Sequence, residues 1–363
     1  MKKILKVFLL FMIFLCSGNI LILHAEGSVE SNIIAQGSCG SNATWQLNDA
    51  GELIISGTGE MTNYGTQVDE GASVTGFLDT PWCEYVASIK KLIVRDGITN
   101  IGTDTLANCD YVESVVIGQD VKMIDQFLFF ECPHLNCISV SSSNTAFCSV
   151  DGVLFNKDCT SLIRYPANKQ GESYQIPEGT ESIDHCGFRG CNNLVEITMP
   201  QTIRSIGDAA FNYCSKIKNL ILPDFVTEIS FGMFSNCYSL ETLTLPNNLE
   251  YISGSAGSMI ELKKIIIDDS NVFFTTIDGV LFDKKKETLI CYPTGKADTE
   301  YVVPENVVTI GNGSSAAFEG CINLTKLVCS KKLQQISDWA ITSKNLNEVV
   351  LNEGLIKIGA YAF

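Results

Sequence analysis

Fifteen cysteines are spread through the 363 residues. Thiols can pair as disulfides, hold a metal or act as nucleophiles, so their spacing is the first chemical question. Cys109, Cys132, Cys191, Cys214, Cys237 and Cys321 hold one place in a recurring pattern, with Cys191, Cys214 and Cys237 each 23 residues apart. Stacked in a column, such thiols read as small buried hydrophobes. Cys39 and Cys83 lie outside the pattern and flank Trp45 and Trp82, and a Cys39–Cys83 disulfide is the expectation there. Cys137, Cys148, Cys159, Cys186, Cys291 and Cys329 cannot be paired from sequence.

Other reactive arrangements are weak. There is no C-x-x-C and no H-E-x-x-H, and beyond the leader only His134 and His185 remain. Metal binding is therefore not expected. His185 adjoins Cys186, but neighbours on a strand face opposite sides, which makes His185 a surface residue. Gly311-Asn312-Gly313-Ser314-Ser315-Ala316 fits G-x-G-x-x-A. It interrupts a repeat between Ile310 and Ala317-Phe318 with no βαβ unit around it, so it reads as a loop insertion rather than a dinucleotide site. Asp268, Asp269 and Asp278 lack the spacing of a calcium loop. No catalytic residue and no cofactor is expected.

The elements that position these residues follow a period. Pro200, Pro223 and Pro246 repeat at 23, as do Phe188, Phe211 and Phe234. One unit reads Leu194, Ile197, Met199-Pro200, Ile203, Ile206-Gly207, Ala210-Phe211, Cys214. Ile197 and Met199 alternate with Glu196 and Thr198, the signature of a half-buried strand. Pro200 ends that strand because it cannot donate to a ladder. Gly207 permits a tight turn, and Phe211 fills the interior of the coil. One such unit cannot offset the chain entropy of ordering itself and must share burial with neighbours above and below. The expected fold is mainly β: a solenoid of about nine coils, stacked roughly 4.8 Å apart.

Two segments carry an insertion duplicated at an offset of 127. Asn144, Asp151-Gly152-Val153-Leu154-Phe155, Tyr165-Pro166 and Tyr174 recur as Asn271, Asp278-Gly279-Val280-Leu281-Phe282, Tyr292-Pro293 and Tyr301. Each reads as a β-hairpin ending in Tyr-Pro. Residues 26–88 have a different grammar and read as a small N-terminal β cap, needed to cover the open end of a stack. Within it, 66–76 reads as a mobile polar loop. The solenoid then occupies 89–363 and stops in mid-repeat, which suggests a fragment or a longer native chain.

Residues 1–25 read as a signal peptide. Lys2-Lys3 precede a short apolar run from Val7 to Leu15, and Leu23-His24-Ala25 offers a cleavage site. No second run is long enough to span a bilayer. The formal net charge is −16 and becomes more negative once Lys2, Lys3 and Lys6 leave. Such a surface repels phosphate backbones, so nucleic acid is not an expected partner.

The repeated unit resembles the BspA-type (Treponema pallidum-type) leucine-rich repeat of bacterial surface proteins, over about Ile89 to Phe363. The resemblance implies a non-enzymatic, secreted or cell-surface protein that binds host, matrix or microbial ligands. Ser253 to Met259 and Ala340-Ile341 depart from the pattern. The outward strand residues Glu196, Thr198, Asn219, Ile221, Thr242 and Thr244 fall on one continuous side and are the candidate ligand face, for an extracellular protein or glycan. Two readings of that face stand: recognition, or strand propensity alone. The alternative for the whole chain is the recognition arm of a secreted enzyme whose catalytic domain lies past residue 363. A third reading is a purely architectural spacer on the envelope.

Overall fold

A computed structural model of the chain describes residues 31–64 and 80–363, except 107–108, 126–127, 130–131, 255, 257 and 314–315. The leader and the 66–76 loop lie outside the described residues.

The alternation read from Ile197 and Met199 produces short parallel strands stacked in register. Leu92 pairs with Val115 and Val115 with Ile138; further along, Leu220 pairs with Leu243 and Leu243 with Ile265. These inward residues are buried while their neighbours face out. Front strands run from Lys91–Val94 to Glu348–Val350, and a second, back stack runs beside them from Ile98–Ile101 to Lys357–Ile358. The solenoid has about 11 turns where nine were expected. Nine plain coils are present, and each of the two insertion-bearing segments also completes a coil, as the front strands Cys137–Val140 and Ser173–Gln175 show on either side of the first.

The interior is an aromatic ladder. Phe188, Phe211 and Phe234 stack with ring centroids 5.5 and 5.9 Å apart, nearly parallel. Gly207 contributes by closeness rather than by an unusual φ. A Cβ there would sit 2.4 Å from the His185 backbone nitrogen of the preceding coil, so glycine lets the two backbones approach. In the irregular coils other side chains fill the interior. Ala256 and Met259 are buried in one, Ala340 and Ile341 in the other.

Each insertion is a three-stranded meander, one strand more than expected. Phe147–Val150 turns through Asp151-Gly152 into Val153–Asn156, which pairs with Ser161–Arg164. The twin runs Phe274–Ile277, Val280–Asp283, Thr288–Cys291. Both Asp-Gly pairs have positive φ at both residues (51° and 79°; 49° and 79°), the turn whose twist matches a two-residue hairpin. The last strand of each meander joins the back stack, Leu162 on Ile183 and Leu289 on Ile310. The duplication extends to the core: Tyr165, Tyr174 and Phe188 cluster at 4.8, 5.3 and 6.1 Å, and Tyr292, Tyr301 and Phe318 at 4.8, 5.2 and 6.1 Å.

At the N-terminal end, Ile33–Ser38, Ala43–Asn48 and Glu52–Gly57 form an antiparallel sheet whose last strand pairs in parallel with Lys91–Val94. Its inner face is closed by Trp45 against Trp82, and by Tyr64 against Trp82. The Trp82 indole N–H donates to the Thr105 carbonyl at 3.0 Å. The expected Cys39–Cys83 disulfide is not formed. Both are free thiols, Cys39 turned into the core and Cys83 exposed at the start of the short 3-10 helix Cys83–Ser88. One thiol is thus buried and the other faces solvent.

Candidate functional site

The candidate face starts from strand geometry. Residues flanking a buried central position must point outward, and Glu196, Thr198, Asn219 and Ile221 are exposed around Ile197 and Leu220. Thr242 and Thr244 are half-buried around Leu243. Asn219 pairs with Thr242 and Ile221 with Thr244, so these four share one sheet.

Glu196 and Thr198 do not belong to it. The front sheet breaks between Glu196–Thr198 and Asn219–Ile221, and the back sheet breaks at the same junction, between Ser205–Ile206 and Glu228–Ser230. The side expected to be continuous is therefore interrupted by a seam. Met199 stands half-exposed there, whereas Leu222 and Leu245 at the same repeat position are buried. What crosses the seam is a short set of ties. The Phe211 N–H donates to Met233 O at 3.0 Å and the Tyr213 N–H to Ser235 O at 2.9 Å. The Asp224 N–H donates to Gln201 Oε1 at 3.1 Å, and the Arg204 guanidinium lies 5.0 Å over the Phe225 ring.

A groove of about 500 Å³ lies along the front of this seam, lined by Glu196, Thr198, Met199, Lys218, Asn219 and Ile221 among others. It offers opposite charges at Glu196 and Lys218, apolar contact at Met199 and Ile221, and two strand edges without a ladder partner. That combination suits an extended, polar chain.

The BspA type leucine-rich-repeat region matches residues 82–162, 167–287 and 295–363, in six copies. The chain belongs to this family of bacterial leucine-rich-repeat proteins. No curated protein matches it. Among solved structures, a leucine-rich repeat protein from Eubacterium ventriosum is 22% identical, with 91% of this chain and 94% of that chain covered and a TM-score of 0.44. The pneumococcal vaccine antigen PcpA is 14% identical over 89% of this chain and 100% of its own, with a TM-score of 0.46. A leucine-rich cell surface protein from Faecalibacterium prausnitzii is 16% identical over 64% of this chain and 95% of its own, at 0.35.

In this BspA-type chain the corner thiols have a local role that spacing could not supply. Cys214 Sγ donates to Phe188 O at 3.0 Å and Cys237 Sγ to Phe211 O at 3.1 Å, each reaching the carbonyl of the preceding coil. Burial pushes both thiols well up, so they stay protonated donors rather than nucleophiles.

The same cause raises Cys39 from 9.0 to about 11, Cys321 to about 12 and Cys329 to about 11. The folded chain thus keeps protons that the unfolded chain releases near 9.0. Their contribution to stability is complete below that value and is lost as pH rises from it toward 11 and 12. A urea midpoint that is level up to about pH 8.5 and falls above about pH 9 is the expected result. A midpoint still level at about pH 11 contradicts it.

A second cleft, of about 490 Å³, opens on the back stack beside Asp125, Phe147, Arg164, Asp184, His185 and Ile206. His185 lies in the turn after Ser182–Ile183 and is half-buried, not on a strand as the opposite-faces argument assumed. Arg164 escaped the sequence reading altogether. It is buried, and its guanidinium donates to the carbonyls of Cys186, Phe129 (2.9 Å) and Arg189 (3.3 Å). Burial lowers its pKa. It acts as a clamp from the meander onto its neighbours. Among the described residues no group of three or more metal-ligating side chains occurs, and no helix is long and apolar enough to cross a membrane.

Proposed function

We propose that this chain is an exported surface protein that binds an extracellular protein or glycan through its front face, without catalysis. One observation carries the reading. Four of the six outward residues singled out from the repeat, Glu196, Thr198, Asn219 and Ile221, line the groove at the interrupted sheet. Strand propensity alone accounts for Thr and Ile facing outward, but it does not account for unladdered edges beside them. The sequence of the leader supports export, and family membership supports a repeat scaffold on which a face rather than a pocket does the work.

The test is binding of the chain from Glu26 onward to arrays of glycans and matrix proteins. A ligand should bind, and Glu196→Lys combined with Ile221→Asp should weaken it at least about tenfold, the cost of one central interface contact. Paired changes at exposed Tyr111 and Met123, far along the stack, should leave it unchanged. Retention of full affinity by the Glu196→Lys/Ile221→Asp variant removes the groove from the proposal. Turnover of any array substrate by this chain removes the rest.

A further inference from the structure

Two thiols in the first meander lie against each other. Cys148 sits on Phe147–Val150 opposite Phe155. Cys159 lies in the turn from Asn156 into Ser161–Arg164, at φ 57°. Their Sγ atoms are 3.0 Å apart, within about 1 Å of the roughly 2.05 Å of a disulfide. Both residues are only half-buried, unlike the sealed Cys214 and Cys237.

The backbone holds this approach in place. The Lys157 N–H donates to Ala146 O at 2.8 Å and the Cys159 N–H to Asn156 O at 3.0 Å. Asn156 Oδ1 accepts from the Ser161 N–H at 2.8 Å. The chain also carries its own control. In the second meander Thr275 stands at the place of Cys148 and Lys286 at the place of Cys159, with φ 62° at Lys286. The meander therefore forms without thiols at these two positions, and neither cysteine is required for packing.

We propose that Cys148 and Cys159 form a disulfide that closes the turn of the first meander. The proposal rests on the export reading for its oxidant, an external disulfide supplied by a small thiol couple or a thiol–disulfide oxidoreductase. One of the two cysteines, as its thiolate, attacks one sulfur of that disulfide and releases a thiolate. The other, once deprotonated, attacks the protein sulfur of the mixed disulfide and releases the second. Two protein thiols are oxidised, the external disulfide is reduced to two thiols, and both protons leave with them. Burial and the neighbouring Cys159 push the Cys148 thiol up to about 12. Each attack needs a thiolate, so closure speeds up with pH.

The experiment equilibrates the chain from Glu26 onward with oxidised and reduced glutathione, alkylates it, and maps peptides without reduction. The expected result is a peptide joining Cys148 to Cys159 with the loss of two hydrogens, while Cys214 and Cys237 stay unlinked. Cys148→Thr, which copies the second meander, should abolish the link and leave Cys159 alkylated or carrying glutathione. Exposed Cys83 reports that the oxidant was competent. Glutathione on Cys83 with Cys148 and Cys159 both alkylated would overturn the proposal. The same map on protein recovered from the producing cells separates the two readings. Linkage there supports both, and free thiols there despite linkage in glutathione overturn the bond in the native protein and count against export.

Discussion

Replacing Phe211 with alanine should lower the unfolding free energy by about 3–5 kcal/mol, the usual range for removing a buried phenylalanine. Its ring is fully buried between Phe188 and Phe234. The upper part of that range is expected because the residue sits at the seam. Between most coils, front and back ladders survive the loss of one ring. Between the coil of Phe211 and the coil of Phe234 neither ladder exists among the described residues, and the stacked rings are a main part of what remains. Phe188→Ala is the comparison, since a front ladder joins Ile197 to Tyr174 in the coil before it. Urea unfolding measures the difference, and hydrogen exchange locates it. Amides on both sides of the seam should lose protection first in the Phe211 variant. A loss below about 1 kcal/mol, or one no larger than that of an exposed substitution, contradicts the argument.

Asn144→Ala should cost on the order of 4 kcal/mol, from four hydrogen bonds at about 1 kcal/mol each. The Asn144 amide donates to Gly118 O at 2.8 Å and Val121 O at 2.9 Å, and its Oδ1 accepts from the N–H groups of Ala146 and Phe147, both at 2.8 Å. It is completely buried, so water does not replace the lost partners. Asn271 repeats the arrangement on Asn247, Leu249, Phe273 and Phe274. Asn271→Ala should therefore behave alike, and its effect should add to that of Asn144→Ala because the sites are far apart in the stack. Asn144→Asp is the discriminating variant. It keeps both acceptor bonds and loses both donor bonds, so it should also be strongly destabilised. Stability within about 1 kcal/mol of the parent in Asn144→Asp would show that the donor half contributes little.

Much of this molecule was legible in its letters because a solenoid writes its contacts as a period. Phe188, Phe211 and Phe234 are 23 apart and stack; Asn144 and Asn271 share an offset and do the same job. The seam was not legible. Period-two alternation says that Thr198 and Ile221 face outward, but it carries no information on whether one coil's N–H groups reach the next coil's carbonyls. Nor was the approach of Cys148 to Cys159, which depends on a left-handed turn residue eleven positions along. Arg164 reads as an ordinary charge at a strand end, and only the fold brings three carbonyl groups around it. The cap cysteines misled for a related reason: neighbouring tryptophans announce a core, yet they do not say which side of it each thiol faces.

The interrupted sheet also bears on how the protein responds to force. Tension along the stack axis loads every coil-to-coil junction in series, and the junction with the fewest parallel bonds gives way first. Here that junction carries two backbone bonds, two side-chain bonds at Gln201 and Cys237 and two ring contacts at Phe225 and Phe234, where its neighbours carry ladders on two sides. The same junction holds the groove. Stretching the stack would therefore act on the groove as well as on the junction, so extension and groove shape would change together.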